Sequence, residues 1–214
     1  MKKVLVFNLS GALLMPTDEV IKIWCDAIRS VGLRPNLTRI FQLYDESWRD
    51  VIIPDLATSG KWSESEVHNI CNYANNVFMD INTSTSIDLS EKLAKLKKNG
   101  YLLAVLTDKT KEKLGSSLKK INCDDSLFDF NLTSDSGFKK PDPRVLDEIL
   151  EKYQPEEILM IGQDYHRDFI LARKARIEFV AIVSSLFPFS FWETMMPGNP
   201  NVYISVKDFL LKFE

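Results

Sequence analysis

Residues 4–14 of the chain read VLVFNLSGALL. The apolar run Val4–Phe7 ends at a polar turn, Asn8–Gly11, and this pattern is typical of a buried strand in a parallel sheet. In open α/β folds, ligands bind at the edge of the sheet where the strands have their carboxyl ends. The stretch therefore predicts a first strand and, directly after it, a place for a functional site.

After this strand the chain consists of an all-helical block and then an alternating one. Between residues 15 and 82, apolar residues recur at helical spacing and predict helices at 18–31, 35–53 and 63–78, and Ser63 followed by Glu66 is typical of a helix start. Beyond residue 82, short apolar strands alternate with amphipathic helices, the first of them at 89–98, which implies a parallel α/β sheet with right-handed crossovers. Five further strands are predicted, at Tyr101–Leu106, Phe128–Leu132, Ile158–Ile161, Phe179–Val183 and Val202–Ile204.

These patterns predict an α/β protein with a Rossmann-like parallel sheet core and an inserted helical cap. We expect the core to comprise residues 1–14 and 83–214, and the cap to comprise residues 15–82. A block inserted after the first strand is suited to cover the carboxyl edge of the sheet, where ligands bind. The length of 214 residues fits one core domain with a small insertion.

The overall composition argues against nucleic acid and membrane partners. The net charge is -3 and the isoelectric point about 5.6. The chain therefore has no overall positive field that would attract nucleic acid or an anionic membrane. No stretch reaches the roughly 20 apolar residues of a membrane helix, and the first apolar run is too short for a signal peptide. Three widely spaced cysteines without a CxxC pair are typical of reduced thiols. We therefore expect a cytoplasmic protein.

Four short segments carry polar residues near the ends of predicted elements. In chain order they read FNLSGALL, LAVLTD, GFKKPDP and MIGQDYHRDFILARKA. Their order and positions resemble the four motifs of haloacid dehalogenase-like (HAD) hydrolases, and the resemblance spans nearly the whole chain. The KPDP piece and the helical insertion after the first motif resemble the phosphoglycolate phosphatase-like branch of that family.

The resemblance implies a reaction that depends on carboxylates. In the family, the first Asp of the first motif attacks phosphorus, and a second Asp two residues later is the general acid and base. Mg²⁺ is held by the first Asp, a backbone carbonyl and acids of the fourth motif, and it offsets repulsion between an anionic nucleophile and an anionic substrate. A Ser or Thr and a Lys hold the phosphoryl oxygens, which gives Thr107 and Lys140 the phosphate-binding role here.

Most of the implied carboxylates are replaced in this chain. Asn8 stands at the nucleophile position, Ser10 at the acid/base position and Gln163 at the first acidic position of the fourth motif. An amide has no anionic oxygen with which to form an acyl phosphate, and the pKa of a hydroxyl is too high to cycle protons near neutrality. An engineered Asp to Asn exchange is a common way to trap this chemistry, but it would leave Ser10 and Gln163 unexplained.

Asp168 is the one carboxylate that this chain keeps at a motif position, and the resemblance implies that it is a metal ligand. Mg²⁺ prefers oxygen ligands with at least one or two carboxylates, so we expect it to bind poorly, and to be a cofactor only if the chain is active. Asp164 and Asp108 are possible substitute ligands, although loop acids or helix caps are the more ordinary interpretation. Without its usual acidic neighbours, Lys140 is expected to make the pocket more positive than in an active relative.

Three functional hypotheses follow from these residues. The leading one is a HAD-like protein without phosphatase activity that binds a phosphorylated small molecule or a protein partner. The second is a low-activity, Mg²⁺-dependent phosphomonoester hydrolase with a metal site rebuilt from Asp168, Asp164 or Asp108. It would need another nucleophile, such as a water, and its rate would be low.

The third hypothesis is a structural or assembly role for the aromatic segment 186–196. Aromatic residues and Met are enriched at the cores of protein interfaces, so Phe187–Met196 is a candidate surface for self-association or for a protein partner. The alternative is a loop and a short helix that pack into the core. The segment carries Phe187, Phe189, Phe191, Trp192, Met195 and Met196.

Overall fold

The computed structural model describes residues 2–14, 17–43, 48–184 and 186–213, and among these it leaves the side chains at 17, 18, 41 and 79–88 undescribed. The chain divides into two compact units. The larger one comprises Met1–Pro16 with Thr85–Glu214, and the smaller one comprises Thr17–Ser84. The boundaries expected from the sequence, after residues 14 and 82, lie close to these. That the smaller unit works as a cap stays a prediction.

The larger unit is built on a parallel sheet with the strand order β3-β2-β1-β4-β5-β6. Each strand coincides with one of the apolar runs in the sequence, so the predicted α/β class with a Rossmann-like parallel sheet is confirmed. The strands are Val4–Asn8 (β1), Leu102–Leu106 (β2), Phe130–Leu132 (β3), Ile158–Gly162 (β4), Glu178–Ile182 (β5) and Val202–Tyr203 (β6).

Strand β1 lies between β2 and β4, and all of its residues are buried. Its side chains alternate between the two faces of the sheet, as in any strand. Leu5 and Phe7 belong to one hydrophobic cluster, and Val4 and Val6 belong to another. Because helices cover both faces, β1 is apolar at successive positions instead of every second one.

The helices of the described residues agree with the predicted pattern except in the middle of the chain. The sequence predicted separate helices at 63–78 and 89–98, whereas the structure has one helix, Glu64–Lys98. Residues 79–88 contain no glycine or proline to end it. The helices are Thr17–Ser30 (α1), Leu37–Gln42 (α2), Ile53–Gly60 (α3), Glu64–Lys98 (α4), Lys111–Lys119 (α5), Asp147–Leu150 (α6), Ile170–Ala175 (α7), Phe189–Met195 (α8) and Val206–Leu210 (α9).

The prediction of a single helix between residues 35 and 53 is wrong. Helix α2 is short and begins at Asn36, whose side chain accepts the backbone N–H of Arg39. A separate helical turn, Trp48–Ile52, leads into α3. Residues 44–47 of the predicted helix lie outside the described residues. No helix of the described residues is long and apolar enough to cross a membrane.

The smaller unit has an apolar core of its own. Helix α1 turns one face inward, where the Trp24 ring stacks on the Trp48 ring with centroids 5.3 Å apart. Ile28, Ile40 and Ile70 are fully buried. The predicted helical block therefore folds around its aromatic and aliphatic residues, as the helical spacing indicated.

The aromatic segment 186–196 packs mainly into the larger unit. Trp192 is fully buried and Met196 is 8% exposed. The rings of Phe187 and Phe191 lie against Trp192, with centroids 6.0 and 5.4 Å from it. Core packing thus accounts for Phe187, Phe191, Trp192 and Met196, and self-association through Phe187–Met196 stays an untested prediction. Among the described residues of the segment, the exposed large hydrophobic side chains are Phe189 and Met195.

Candidate functional site

Three of the predicted site residues lie at the ends of neighbouring strands. Asn8 is the last residue of β1, Thr107 follows β2, and Gln163 follows β4. Because β1 pairs with both β2 and β4, the three residues lie at one edge of the sheet. Each is at most 5% exposed. The carboxyl edge of the central strands therefore presents buried polar side chains, which is unusual in a protein interior.

At this edge Asn8, Lys140 and Asp168 form a closed ring of hydrogen bonds. The Lys140 ammonium donates to Asn8 Oδ1 at 2.7 Å and to Asp168 Oδ1 at 2.6 Å. Asn8 Nδ2 donates to Asp168 Oδ2 at 2.8 Å. The side chains of Lys140 and Asp168 are 6% and 0% exposed. The structure thus brings together one residue from each of the first, third and fourth motifs.

The neighbours of Asn8 fix the orientation of its amide. The amide oxygen faces the Lys140 ammonium, while the amide nitrogen faces the Asp168 carboxylate and donates to the Ser10 carbonyl oxygen at 2.6 Å. A flipped amide would set N–H groups against an ammonium that only donates, and an oxygen against a carboxylate that only accepts. Asn8 therefore satisfies both neighbours at once.

Asp168 is held on all sides by hydrogen-bond donors. Besides Lys140 and Asn8, its carboxylate accepts the backbone N–H groups of Gln163 at 3.1 Å and Asp164 at 3.2 Å. A carboxylate offers roughly four lone-pair directions, so these donors use its capacity. Gly162 makes the close approach possible, because a Cβ at that position would lie 2.5 Å from Asp168 Oδ2.

The local sequence explains why Asp168 turns back towards the sheet. After β4, the Asp164 side chain accepts the backbone N–H of Arg167 at 3.0 Å and so caps the helical turn Tyr165–Phe169. That turn continues into α7 and carries Asp168 on its buried side. The helix-cap interpretation of Asp164 therefore has structural support, and its use as a substitute metal ligand does not.

Asp108 ties the loops of three motifs together. Its carboxylate accepts the backbone N–H of Lys140 at 3.0 Å and forms an ion pair with the Arg167 guanidinium. Sequence reasoning considered Asp108 only as a loop acid or a metal ligand, and it did not identify Arg167 at all. Nothing in the spacing along the chain signals a contact between residues 59 positions apart.

The loop that carries Lys140 ends in a second cap. Asp142 accepts the backbone N–H of Arg144 at 3.0 Å and pairs with the guanidinium of the same residue at 2.6 Å. These hydrogen bonds from the Arg144 side chain and backbone lower the pKa of Asp142 to about 2. The KPDP segment is thus a short, internally bonded turn behind the lysine.

Three of the predicted site residues stand beside the ring rather than in it. The Ser10 side chain is exposed, and this residue joins the network only through its carbonyl oxygen. Thr107 Oγ1 accepts the backbone N–H of Lys109 at 3.2 Å, so the phosphate-binding role of Thr107 stays a prediction. The Gln163 side chain lies against Gly11, whose φ of 91° suits glycine.

Lys109 is a partly buried amine next to this edge. Its Nζ lies 3.4 Å from Ser117 Oγ. Burial lowers the pKa of the Lys109 ammonium, and the charges of Lys120 and Lys113 lower it further. The described residues give Lys109 no salt bridge, so its position costs stability when it is protonated.

Lys140 keeps one acidic partner in this pocket. The Lys140 ammonium is 2.6 Å from Asp168 Oδ1, and the two buried charges balance each other. That the pocket is more positive than in an active relative, where more acids would surround the lysine, stays a prediction. Because Asp168 has Lys140 as its ion-pair partner, the pair is neutral.

The residues at this edge do not fit Mg²⁺. The Asp168 carboxylate is saturated by donors, and Asp108 and Asp164 are engaged by Arg167. Within the part of the chain that the structure describes, no group of three or more His, Cys, Asp or Glu side chains is placed to hold a metal ion.

Comparison with known proteins identifies the family. Residues 6–182 match the model of the family described as haloacid dehalogenase-like hydrolase. The chain is 33% identical over 112 residues to the pyrophosphatase PpaX of Bacillus mycoides, covering 50% of both chains. It is 27% identical over 184 residues to the phosphoglycolate phosphatase of Vibrio vulnificus, covering 81% of this chain and 80% of that protein.

Solved structures agree with the fold. The β-phosphoglucomutase of Clostridium difficile superposes with a TM-score of 0.59 at 16% identity, covering all of this chain and 95% of the other. At that identity the likeness shows the fold alone. The chain spans about half the length of the first curated relatives that it matches.

Proposed function

The chain belongs to the haloacid dehalogenase-like hydrolase family, and we propose that it binds a phosphorylated small molecule without hydrolysing it. The observation that carries the proposal is the hydrogen-bonded ring of Asn8, Lys140 and Asp168. In this ring an amide stands at the position that the family resemblance gives to the nucleophile. The relatives that the chain matches are phosphatases and pyrophosphatases by name, which supports a phosphorylated ligand.

The ring leaves no carboxylate ready to attack phosphorus. Covalent phosphoryl transfer needs an anionic or activated oxygen. The Asn8 oxygen is neutral and already accepts from Lys140 at 2.7 Å. Asp168 carries the negative charge, but it is fully buried and saturated by donors. Ser10 has no acidic proton to exchange near neutral pH.

The same ring still offers donors to an oxyanion. An ammonium has three N–H donors, and the contacts described for Lys140 Nζ use two of them, to Asn8 and Asp168. The Thr107 hydroxyl accepts from Lys109 through its oxygen, so its hydrogen can still be donated. We propose that these two donors, one from Lys140 and one from Thr107, meet the phosphoryl oxygens of the ligand.

A calorimetric titration with inorganic phosphate and a panel of phosphomonoesters tests the binding. We expect saturable binding by the natural chain, its loss in Lys140→Met, and its retention in Lys139→Met. Lys139 is the exposed neighbour in the same loop and makes a matched control. Absence of heat and of thermal stabilisation with every compound would contradict the proposal.

Turnover separates the proposal from its rival, a weakly active Mg²⁺-dependent hydrolase. That rival would need Asp168 as a metal ligand together with a nucleophile from outside the ring. Hydrolysis of the panel that requires Mg²⁺ and disappears in Asp168→Ala would establish the enzyme and overturn the proposal. We expect no turnover above the background of the Asp168→Ala variant.

A further inference from the structure

We infer that the Lys140 ammonium and the Asn8 amide together take the place of a metal ion at this site, so that the natural chain binds no Mg²⁺ there. The inference rests on the proposed function, because it explains how the ring of Asn8, Lys140 and Asp168 keeps its geometry without a metal ion. It concerns charge and coordination, and it can be right or wrong whatever the ligand is.

Four oxygen atoms converge at the ring, and nitrogen donors already satisfy them. Lys140 Nζ lies 2.7 Å from Asn8 Oδ1 and 2.6 Å from Asp168 Oδ1. Asn8 Nδ2 lies 2.6 Å from the Ser10 carbonyl oxygen and 2.8 Å from Asp168 Oδ2. Carboxylate, carbonyl and amide oxygens are the ligands that Mg²⁺ prefers. Here each of them accepts an N–H instead.

The charge balance at the ring also disfavours a dication. Asp168 supplies one negative charge, and Lys140 neutralises it in a buried ion pair. A Mg²⁺ ion beside this pair would add two positive charges next to an ammonium, with no further acid at the ring to compensate. Opposite charges attract and like charges repel most strongly where water is excluded. Mg²⁺ also gives up its water reluctantly.

The acids nearby cannot supply what is missing without breaking other contacts. Asp108 pairs with Arg167 and holds the backbone of Lys140. Asp164 accepts the Arg167 backbone N–H that starts the helical turn. Turning either carboxylate to a metal would undo the fold of the loop that positions the ring.

The inference predicts which single change restores a metal site. Asn8→Asp replaces the amide NH₂ group, which has two N–H donors, with a carboxylate oxygen next to Asp168. Two carboxylates then face the one ammonium of Lys140. Such a pair attracts a divalent cation, because neighbouring carboxylates repel each other unless a proton or a cation lies between them. Asn99→Asp adds the same charge at an exposed position before the amino end of β2 and serves as the control.

The experiment is a titration of each purified full-length chain with MgCl₂, followed by calorimetry and by thermal unfolding. For the natural chain and Asn99→Asp we expect no saturable heat and no rise in the unfolding temperature. For Asn8→Asp we expect saturable binding and a rise in the unfolding temperature with Mg²⁺. Saturable binding by the natural chain that is lost in Asp168→Asn would overturn the inference, and so would a folded Asn8→Asp chain that binds no Mg²⁺.

A second measurement holds even if Asn8→Asp does not fold. The natural chain is titrated with inorganic phosphate in MgCl₂ and, separately, in EDTA. The inference predicts the same dissociation constant in both, and a severalfold tighter value with Mg²⁺ would overturn it. If phosphate binds in neither condition, the proposed function fails, while the Mg²⁺ titration of the natural chain still decides the inference.

Discussion

Asn8 differs from an aspartate by one atom and one charge, and this difference changes what its neighbours do. With an acid at position 8, two carboxylates would share the Lys140 ammonium and would need a cation or a proton between them. With the amide, Lys140 and Asp168 form a neutral pair, and Asn8 bridges both ends of it. The same three side chains can therefore rest in a fixed, charge-balanced ring.

The strength of this pair can be measured in a double-mutant cycle. Lys140→Met leaves the buried Asp168 carboxylate without its cation and should lower the free energy of unfolding by about 3–5 kcal/mol. Asp168→Asn should also destabilise, because it leaves the buried ammonium unpaired. The double variant should cost about 1–3 kcal/mol less than the sum of the two. Urea unfolding of the natural chain, the two single variants and the double variant measures these free energies. If each single variant lost less than about 1 kcal/mol and the two losses simply added in the double variant, the pair would not be buried as described.

A glycine at the end of β4 should matter because of the space that Asp168 takes. Gly162→Ala places a Cβ about 2.5 Å from Asp168 Oδ2, so we expect a loss of about 1–3 kcal/mol from overpacking. Gly115, inside α5, has nothing within 4 Å of the place where an alanine methyl would lie, and Gly115→Ala should stabilise by about 0.5–1 kcal/mol. Thermal unfolding of both variants checks the contrast, and a harmless Gly162→Ala would contradict the packing.

At the scale of single elements, short apolar runs predicted strands well because the central strands β1 and β4 are buried along their whole length. Helix ends were harder to predict. Helix α4 continues through residues 79–88, between the two helices that the sequence predicted, because that stretch contains no glycine or proline to end a helix. The motif order likewise predicted Asn8, Lys140 and Asp168 as site residues, and the structure brings these three side chains together. It could not reveal their mutual hydrogen bonds, which depend on how separate loops meet in space.

The turn behind Lys140 makes a prediction about pH. Hydrogen bonds from Arg144 hold the pKa of Asp142 at about 2 in the folded chain, below the usual value of a carboxyl. Since the folded pKa is depressed, the contribution of this cap is present above about pH 4 and is lost as the pH falls towards 2. NMR titration of Asp142 should show this midpoint, and Arg144→Gln should raise it. An unchanged midpoint in Arg144→Gln would contradict the assigned cause.

Lys109, in the loop before α5, should destabilise the folded chain, whereas the Asp142 cap should stabilise it. Burial lowers the pKa of Lys109 from 10.5, so the folded state disfavours the charged amine. The resulting cost is present below the folded pKa and disappears as the pH rises through the unfolded value. Lys109→Met keeps the apolar stem and removes the charge, so at pH 7 it should be as stable as the natural chain or more stable. Chemical denaturation at pH 7 measures this, and a clear loss of stability would mean that Lys109 has a favourable anionic neighbour.

At the scale of the whole molecule, the family fold is retained while the reactive groups differ. The sheet order, the insertion after β1 and the match over residues 6–182 place the chain in the family. A fold does not by itself carry an activity, and we propose that the side chains at Asn8, Ser10 and Gln163 decide the chemistry. Sequence alone could predict these replacements from the order of the motifs, but it could not reveal the Lys140–Asp168 pair, because that pair is a tertiary contact.

The most direct test of this account compares the natural chain with the triple variant Asn8→Asp, Ser10→Asp, Gln163→Asp. Both are assayed with Mg²⁺ on a generic aryl phosphate and on a panel of phosphorylated metabolites. We predict no turnover by the natural chain and a gain of Mg²⁺-dependent turnover in the triple variant, because the fold of the family is kept and Lys140, the proposed phosphate-binding residue, is present. Mg²⁺-dependent turnover by the natural chain that is abolished in Asp168→Ala would contradict it.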